Sequence, residues 1–234
     1  MWRDASRWAA ESYALFVKEW RTEWRTRHAL STVALFAFTT LVVTSFTLGP
    51  AGTGSAMRPV LPIILWVILL FASTAGLPRS FVHEEETGTA AALRLSAGPF
   101  AVFAGKFFYN LTLLLALEVM IVPLFLVLLQ VPVADPMRLM LAMLTGGWGL
   151  AAASTLIAAM VGQTQNRGPL FAVLAFPLLL PLVIFAVRLT WSAIEPSTAP
   201  LAVDPGLMAL RLLLLYDGSV TVAGLMLFPV IWNP

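Results

Sequence analysis

Glu84, Glu85 and Glu86 stand side by side just before a Gly88-Thr89 step, and a short stretch with helical spacing, Ala90 to Leu95, follows. Acids in that position lie near the positive end of a short helix, which favours them. Thr89 is a residue type that caps such a helix. A helix this short is marginal alone, so it must lean on something, and Leu93 and Leu95 would be wasted in water. The chemistry on offer is recognition: a structured, charged segment that docks a soluble partner. A solvated acidic loop is the plainer alternative.

Two further carboxylates stand inside apolar runs. Glu118 lies about 12 residues past Lys106, roughly 18 Å along a helix and so near the middle of a bilayer. Asp217 sits about as deep in the last apolar run. An acid there is costly and marks a path or a pair. Arg211, on another helix, is a candidate partner for Glu118, and a hydroxyl such as that of Tyr216 is a structural alternative. The pair could also serve an intramembrane enzyme acting on a lipid-like substrate, but the sequence lacks the metal- or phosphate-binding clusters of such enzymes. No catalytic residue and no metal ligand is assigned.

The elements that must hold these residues are membrane helices. Of 234 residues, 59% are hydrophobic and 11% charged, against roughly 25% charged in soluble domains. The apolar residues fall in runs of about 20, which means helices rather than a barrel. Cysteine is absent, so disulfides and thiolate metal sites are excluded. No cleavable signal peptide is visible. No phosphate-binding Gly-x-x-x-x-Gly-Lys-Ser/Thr loop occurs, so any ATP is bound by another chain. Nothing points to nucleic acid.

The expected fold is all-α: six transmembrane helices preceded by an amphipathic interfacial helix over residues 1–28. Tyr13, Phe16, Trp20 and Trp24 share one face of that helix beside a stripe of Arg and Lys, a pattern suited to the headgroup layer. The spans fall at about 29–48, 58–78, 100–130, 137–161, 169–187 and 206–232, with a loop over 190–205 that includes Trp191. Gly146, Gly147 and Gly149 predict close packing of the fourth span. Ten Lys and Arg residues on one side and four on the other place both termini in the cytoplasm.

Several stretches resemble one family. Leu61-Pro62-Ile63-Ile64-Leu65-Trp66-Val67 is the first. Then Phe81, Glu84, Glu85, Gly88, Thr89, Leu93, Leu95, Ser96 and Pro99 follow at fixed spacing, ahead of Gly105-Lys106. Arg167-Gly168 precedes an Ala175-Phe176-Pro177 run. Together they resemble the haem exporter protein B (CcmB) family of ABC-2-type, or type V exporter-like, permeases. The resemblance covers most of the chain and is weakest in the N-terminal helix and the last span.

The resemblance implies a permease domain over 29–234 that is not itself an enzyme. Two copies would pair with two copies of a separate ABC ATPase subunit (CcmA-like), which carries ATP and Mg. They would join a haem-handling membrane subunit (CcmC-like) of cytochrome c maturation in the bacterial inner membrane. The loop at about 81–98 becomes the coupling helix, with Phe81, Glu84, Glu85, Gly88, Thr89 and Leu93 as ATPase contacts. Haem is the implied substrate of the complex, with export of another hydrophobic substrate or a passive scaffold role as alternatives. This chain alone is expected to bind no cofactor, since His28 and His83 lie outside the spans and haem iron needs a ligand such as histidine.

Overall fold

Small residues in the middle of the chain decide how its helices pack. The computed structural model describes residues 2–26, 28–48, 57–76, 84, 88–162, 167–196 and 204–232. Within them lie α1 (Trp2–Thr26), α2 (His28–Leu48), α3 (Leu61–Gly76, entered through a 3-10 turn at Arg58–Val60) and the short α4 (Ala90–Ser96). The long helices α5 (Pro99–Leu128), α6 (Pro136–Gly162), α7 (Arg167–Ile194) and α8 (Pro205–Trp232) follow. No strand occurs among the described residues. Five helices are long and apolar enough to cross a membrane, and a shorter apolar helix covers Arg58–Thr74. The chain is an all-helical polytopic membrane protein.

α6 is the axis of the bundle. It packs on α5, α7 and α8, and 78% of its apolar stretch is buried in protein, against 11% for the first span. Its glycines make this possible. A Cβ on Gly146 would stand 2.0 Å from the Trp66 indole, and one on Gly147 would stand 2.8 Å from Glu118 Oε1. A Cβ on Gly149 would stand 2.3 Å from Asp217 Oδ1. Three neighbouring helices thus each lay a large or polar side chain directly on the α6 backbone. The Trp66 indole N–H then reaches Thr190 Oγ1 at 2.9 Å, tying α3 to α7 across the same layer.

A described apolar helix stands at each of the six expected positions, the second shorter than a full span, with one correction. Trp191 does not lie in a loop, because α7 runs on to Ile194. Thr190 and Ser192 donate their hydroxyls to the carbonyls of Ala186 and Leu189, so their polarity is satisfied inside the helix. The Ala193 carbonyl accepts the amides of Ala134 and Asp135 at 3.0 and 2.9 Å. At that end Arg138 grips Asp204 through both terminal guanidinium nitrogens at 3.2 and 2.6 Å and Asp135 at 3.0 Å. The beginnings of α6 and α8 are joined there.

If the glycines admit these contacts, Gly146→Ala costs about 1–3 kcal/mol of stability by overpacking against Trp66. Gly218→Ala, where a Cβ meets nothing within 4 Å, is neutral or stabilising by up to about 1 kcal/mol through helix propensity. Thermal unfolding of the two purified variants checks the contrast.

Candidate functional site: a clamped short helix

At the end opposite Arg138, α1 lies along the first turns of α5. Gly105 permits the approach: a Cβ there would stand 2.8 Å from Leu15 Cβ and 2.9 Å from the Ser12 carbonyl. The α1 face turned inward is Ser12, Leu15 and Glu19, all buried. Phe16 and Trp20 pack beside it on Tyr109 and Leu113. Tyr13 and Trp24 stay exposed. The aromatic residues of α1 therefore divide between the bundle and the surface, rather than forming one face as the helical spacing predicts. α1 is fastened through its polar line.

That polar line meets a buried cation. Lys106 has no exposed side-chain surface, and its Nζ stands 2.9 Å from Glu84 Oε2 and 3.2 Å from Glu19 Oε1. Lys18 Nζ closes the square, 2.5 Å from Glu84 Oε1 and 3.4 Å from Glu19 Oε1. Two cations and two carboxylates thus join α1, α5 and the segment before α4. Burial works against the Glu84 carboxylate, but Lys106 and Lys18 outweigh it and hold the group below the usual 4.5. Burial likewise opposes the Lys18 ammonium, yet Glu84 and Glu19 prevail and hold it above the usual 10.5.

Glu84 also anchors the turn by its backbone. Its carbonyl accepts the Thr89 amide at 3.0 Å and the Thr89 hydroxyl at 3.4 Å. Thr89 stands at the start of α4, but its side chain turns back to Glu84 instead of capping the helix. Gly88 takes φ +68°, the left-handed region that suits glycine. α4 itself is held on two sides. Leu93 is buried in the core, and the Arg94 guanidinium carbon lies 5.1 Å from the centre of the Trp232 ring at the end of α8. The Gly98 amide donates to Glu11 of α1 at 3.3 Å. Gly88, Thr89, Ala92, Leu95 and Ser96 face outward, Leu95 being 92% exposed.

Residues 10–225 match the family model described as "CcmB protein". The chain belongs to the CcmB family. A curated relative, "Heme exporter protein B" of Rhodobacter capsulatus, is 32% identical over 177 residues, which cover 74% of this chain and 81% of the relative. Membership of the CcmB family makes the chain a transporter subunit of the membrane, and the candidate site can be read residue by residue in that light.

Of the residues singled out from the sequence, Gly88 and Thr89 lie at the surface of the turn before α4, Leu93 is buried beneath it, and Glu84 is 3% exposed and engaged with lysines. Phe81 and Glu85 lie outside the described residues. Lys18, Glu19, Lys106, Arg94 and Trp232 were not singled out as partners of this segment. One signal for Glu19 was available: it shares the helical face of Ser12 and Leu15, seven and four residues back. Glu118 and Asp217 do not join this site. Glu118 faces Gly147 rather than Arg211, and the Tyr216 hydroxyl donates to the Leu178 carbonyl. Both acids keep one buried oxygen without a hydrogen-bond partner.

Lys106→Met removes the fully buried cation and leaves Glu19 and Glu84 only Lys18, which is half exposed. Removing one partner of a buried pair costs about 3–5 kcal/mol and an exposed one under about 1 kcal/mol. Thermal melts should therefore rank Lys106→Met well below Lys18→Met.

The pH dependence has a definite sign. Glu84 sits below its usual 4.5 and Lys18 above its usual 10.5. The Glu84 contribution is therefore complete above pH 4.5 and is lost as pH falls through the lower folded value, while that of Lys18 is complete below 10.5 and is lost as pH rises through the higher one. The stability gap between wild type and Glu84→Gln is expected to be flat near neutrality and to shrink in acid below 4.5.

Proposed function

We propose that this chain is the permease subunit of an ABC-type haem exporter complex, driven by a separate ATPase subunit at α4. The observation that carries the reading is a short helix offering Gly88, Thr89 and Leu95 outward while Glu84, Leu93 and Arg94 fasten it to three other helices. A segment so arranged passes a push to the bundle instead of absorbing it. Force on α4 reaches α5 through Lys106, α1 through Lys18 and Glu11, and α8 through Trp232. Closure of an ATPase dimer would supply that push, and rigid-body movement of the long helices would be the response. Glu84 serves as the strut and Gly88, Thr89 and Leu95 as the contact surface, and Glu85 and Phe81 are proposed as further ATPase contacts.

Haem as the cargo, or the release of a haem-loaded chaperone as the outcome, rests on family membership and on the name of the Rhodobacter relative. The partners are a CcmA-like ATPase, a CcmC-like haem-handling subunit and a second copy of this chain. The complex sits in the bacterial inner membrane with α1, α4 and the end of α8 in the cytoplasm. The bundle supports this placement, since α1, α4 and Trp232 gather at one end of it.

Gly88 gives the sharpest test. A Cβ there meets nothing within 4 Å, so only its φ of +68° resists substitution. Asn tolerates that conformation and Val does not. Gly88→Asn should keep ATPase co-purification and cytochrome c maturation, and Gly88→Val should lose most of the maturation while the spans still assemble. Full maturation with Gly88→Val would count against α4 as the coupler.

A further inference from the structure

The outward side of α1 carries charge of one sign. Each acid of α1 whose side chain is described turns toward the bundle. Glu11 accepts the Gly98 amide at 3.3 Å, Glu19 meets Lys106 at 3.2 Å, and Glu23 accepts the Tyr109 hydroxyl at 3.4 Å. Arg21 and Arg25, one helical turn apart, are exposed, and among the described residues neither pairs with an acid. Water alone satisfies an exposed arginine, so its depth decides what else it meets.

That depth is fixed by the chain and by packing. The apolar stretch of the first span begins at Ser31. Arg25 stands six residues before it, about 9 Å at helical rise, and Arg21 about 15 Å. A headgroup layer is about 5–8 Å deep, and an arginine side chain spans several ångströms more. The two edges of α1 also differ. Phe16 and Trp20 pack on Tyr109 and Leu113, farther along α5 than Gly98, which meets Glu11. Trp20 stacks in turn on Trp24, ring centres 6.3 Å apart, and Trp24 is 63% exposed. The opposite edge carries Lys18, which reaches Glu84 in the segment outside the spans. An aromatic edge on the membrane side of a basic one is the arrangement of a helix at the lipid surface.

We infer that Arg21 and Arg25 bind the headgroup phosphate of an anionic phospholipid, whose chains lie beside Trp24 and the start of the first span. The guanidinium fork matches a phosphate in geometry as well as charge. A zwitterionic lipid offers the same phosphate with a cancelling amine, so net charge selects the occupant. The fold prepares the site by drawing the acids of α1 inward, which leaves no carboxylate to compete for the two arginines. The lipid thereby holds the outer side of the helix whose inner side carries Glu19 and Lys18 to the clamp. The inference rests neither on α4 as the coupler nor on haem as cargo.

The test uses the full chain in phosphatidylcholine nanodiscs. Photoactivatable phosphatidylglycerol and photoactivatable phosphatidylcholine with the same acyl chains are crosslinked in parallel, and adducts are mapped by peptide mass spectrometry. Phosphatidylglycerol is expected to label α1 at least about tenfold more, given two arginines at the headgroup level. Around Phe46, exposed at the far end of α2, the two lipids should label equally. Arg21→Gln combined with Arg25→Gln should abolish the excess on α1 and leave labelling around Phe46 unchanged, which reports an intact fold. The excess should fall severalfold at about 1 M salt, where screening acts within about 3 Å, and should survive millimolar inorganic phosphate at matched ionic strength. Equal labelling of α1 by the two lipids would overturn the proposal and leave the basic edge to an acidic protein surface. An excess that outlasts the double substitution would overturn it too, as would one that free phosphate removes, since the site would then take a soluble anion.

Discussion

Lys106 is the residue on which the end of the molecule that holds α1 and α4 depends. A cation without exposed surface is tolerable only where carboxylates reach it, and here they come from two separate stretches of chain: Glu19 in α1 and Glu84 ahead of α4. Neither carboxylate would be buried without the lysine, and the lysine would not be buried without them. The cluster therefore acts as a registration device. It fixes where α1 crosses α5 and where the turn before α4 begins. Net neutrality within the square keeps the desolvation cost from falling on any one group.

A second constraint governs the membrane interior, and it is steric rather than ionic. α6 presents almost no side-chain bulk over Gly146, Gly147 and Gly149, so Trp66, Glu118 and Asp217 close on it from three helices. In lipid there is little hydrophobic gain from bringing helices together, and close backbone approach is the substitute. The two constraints are linked through α5, which carries Lys106 near one end and Glu118 farther along.

The membrane architecture was legible from the sequence because hydropathy and Gly-Pro punctuation report local facts. The helix starts at Pro99, Pro136 and Pro205 all fall within a residue or two of the expected ones. Trp191 was misplaced because Thr190 and Ser192 look like loop residues until their hydroxyls are seen bonding within α7. The acidic block was recognisable as important, but the inward turn of Glu84 was not. Its hydrogen-bond partner Lys18 is 66 residues away, and no local pattern encodes so distant a pair. The pairing exists only after Gly105 has let α1 settle on α5. Likewise, the unpaired state of Glu118 and Asp217 depends on which helix faces which, a tertiary fact.

The central claim is that Lys106 and Glu84 are energetically one unit holding the segment before α4 to the bundle. A double-mutant cycle with Lys106→Met and Glu84→Gln, read by unfolding of the purified chain, measures this most directly. A coupling energy of at least about 1 kcal/mol is predicted, with the double variant more stable than the sum of the single losses implies. Losses that simply add would contradict the account, because the two side chains would then be neighbours without being partners.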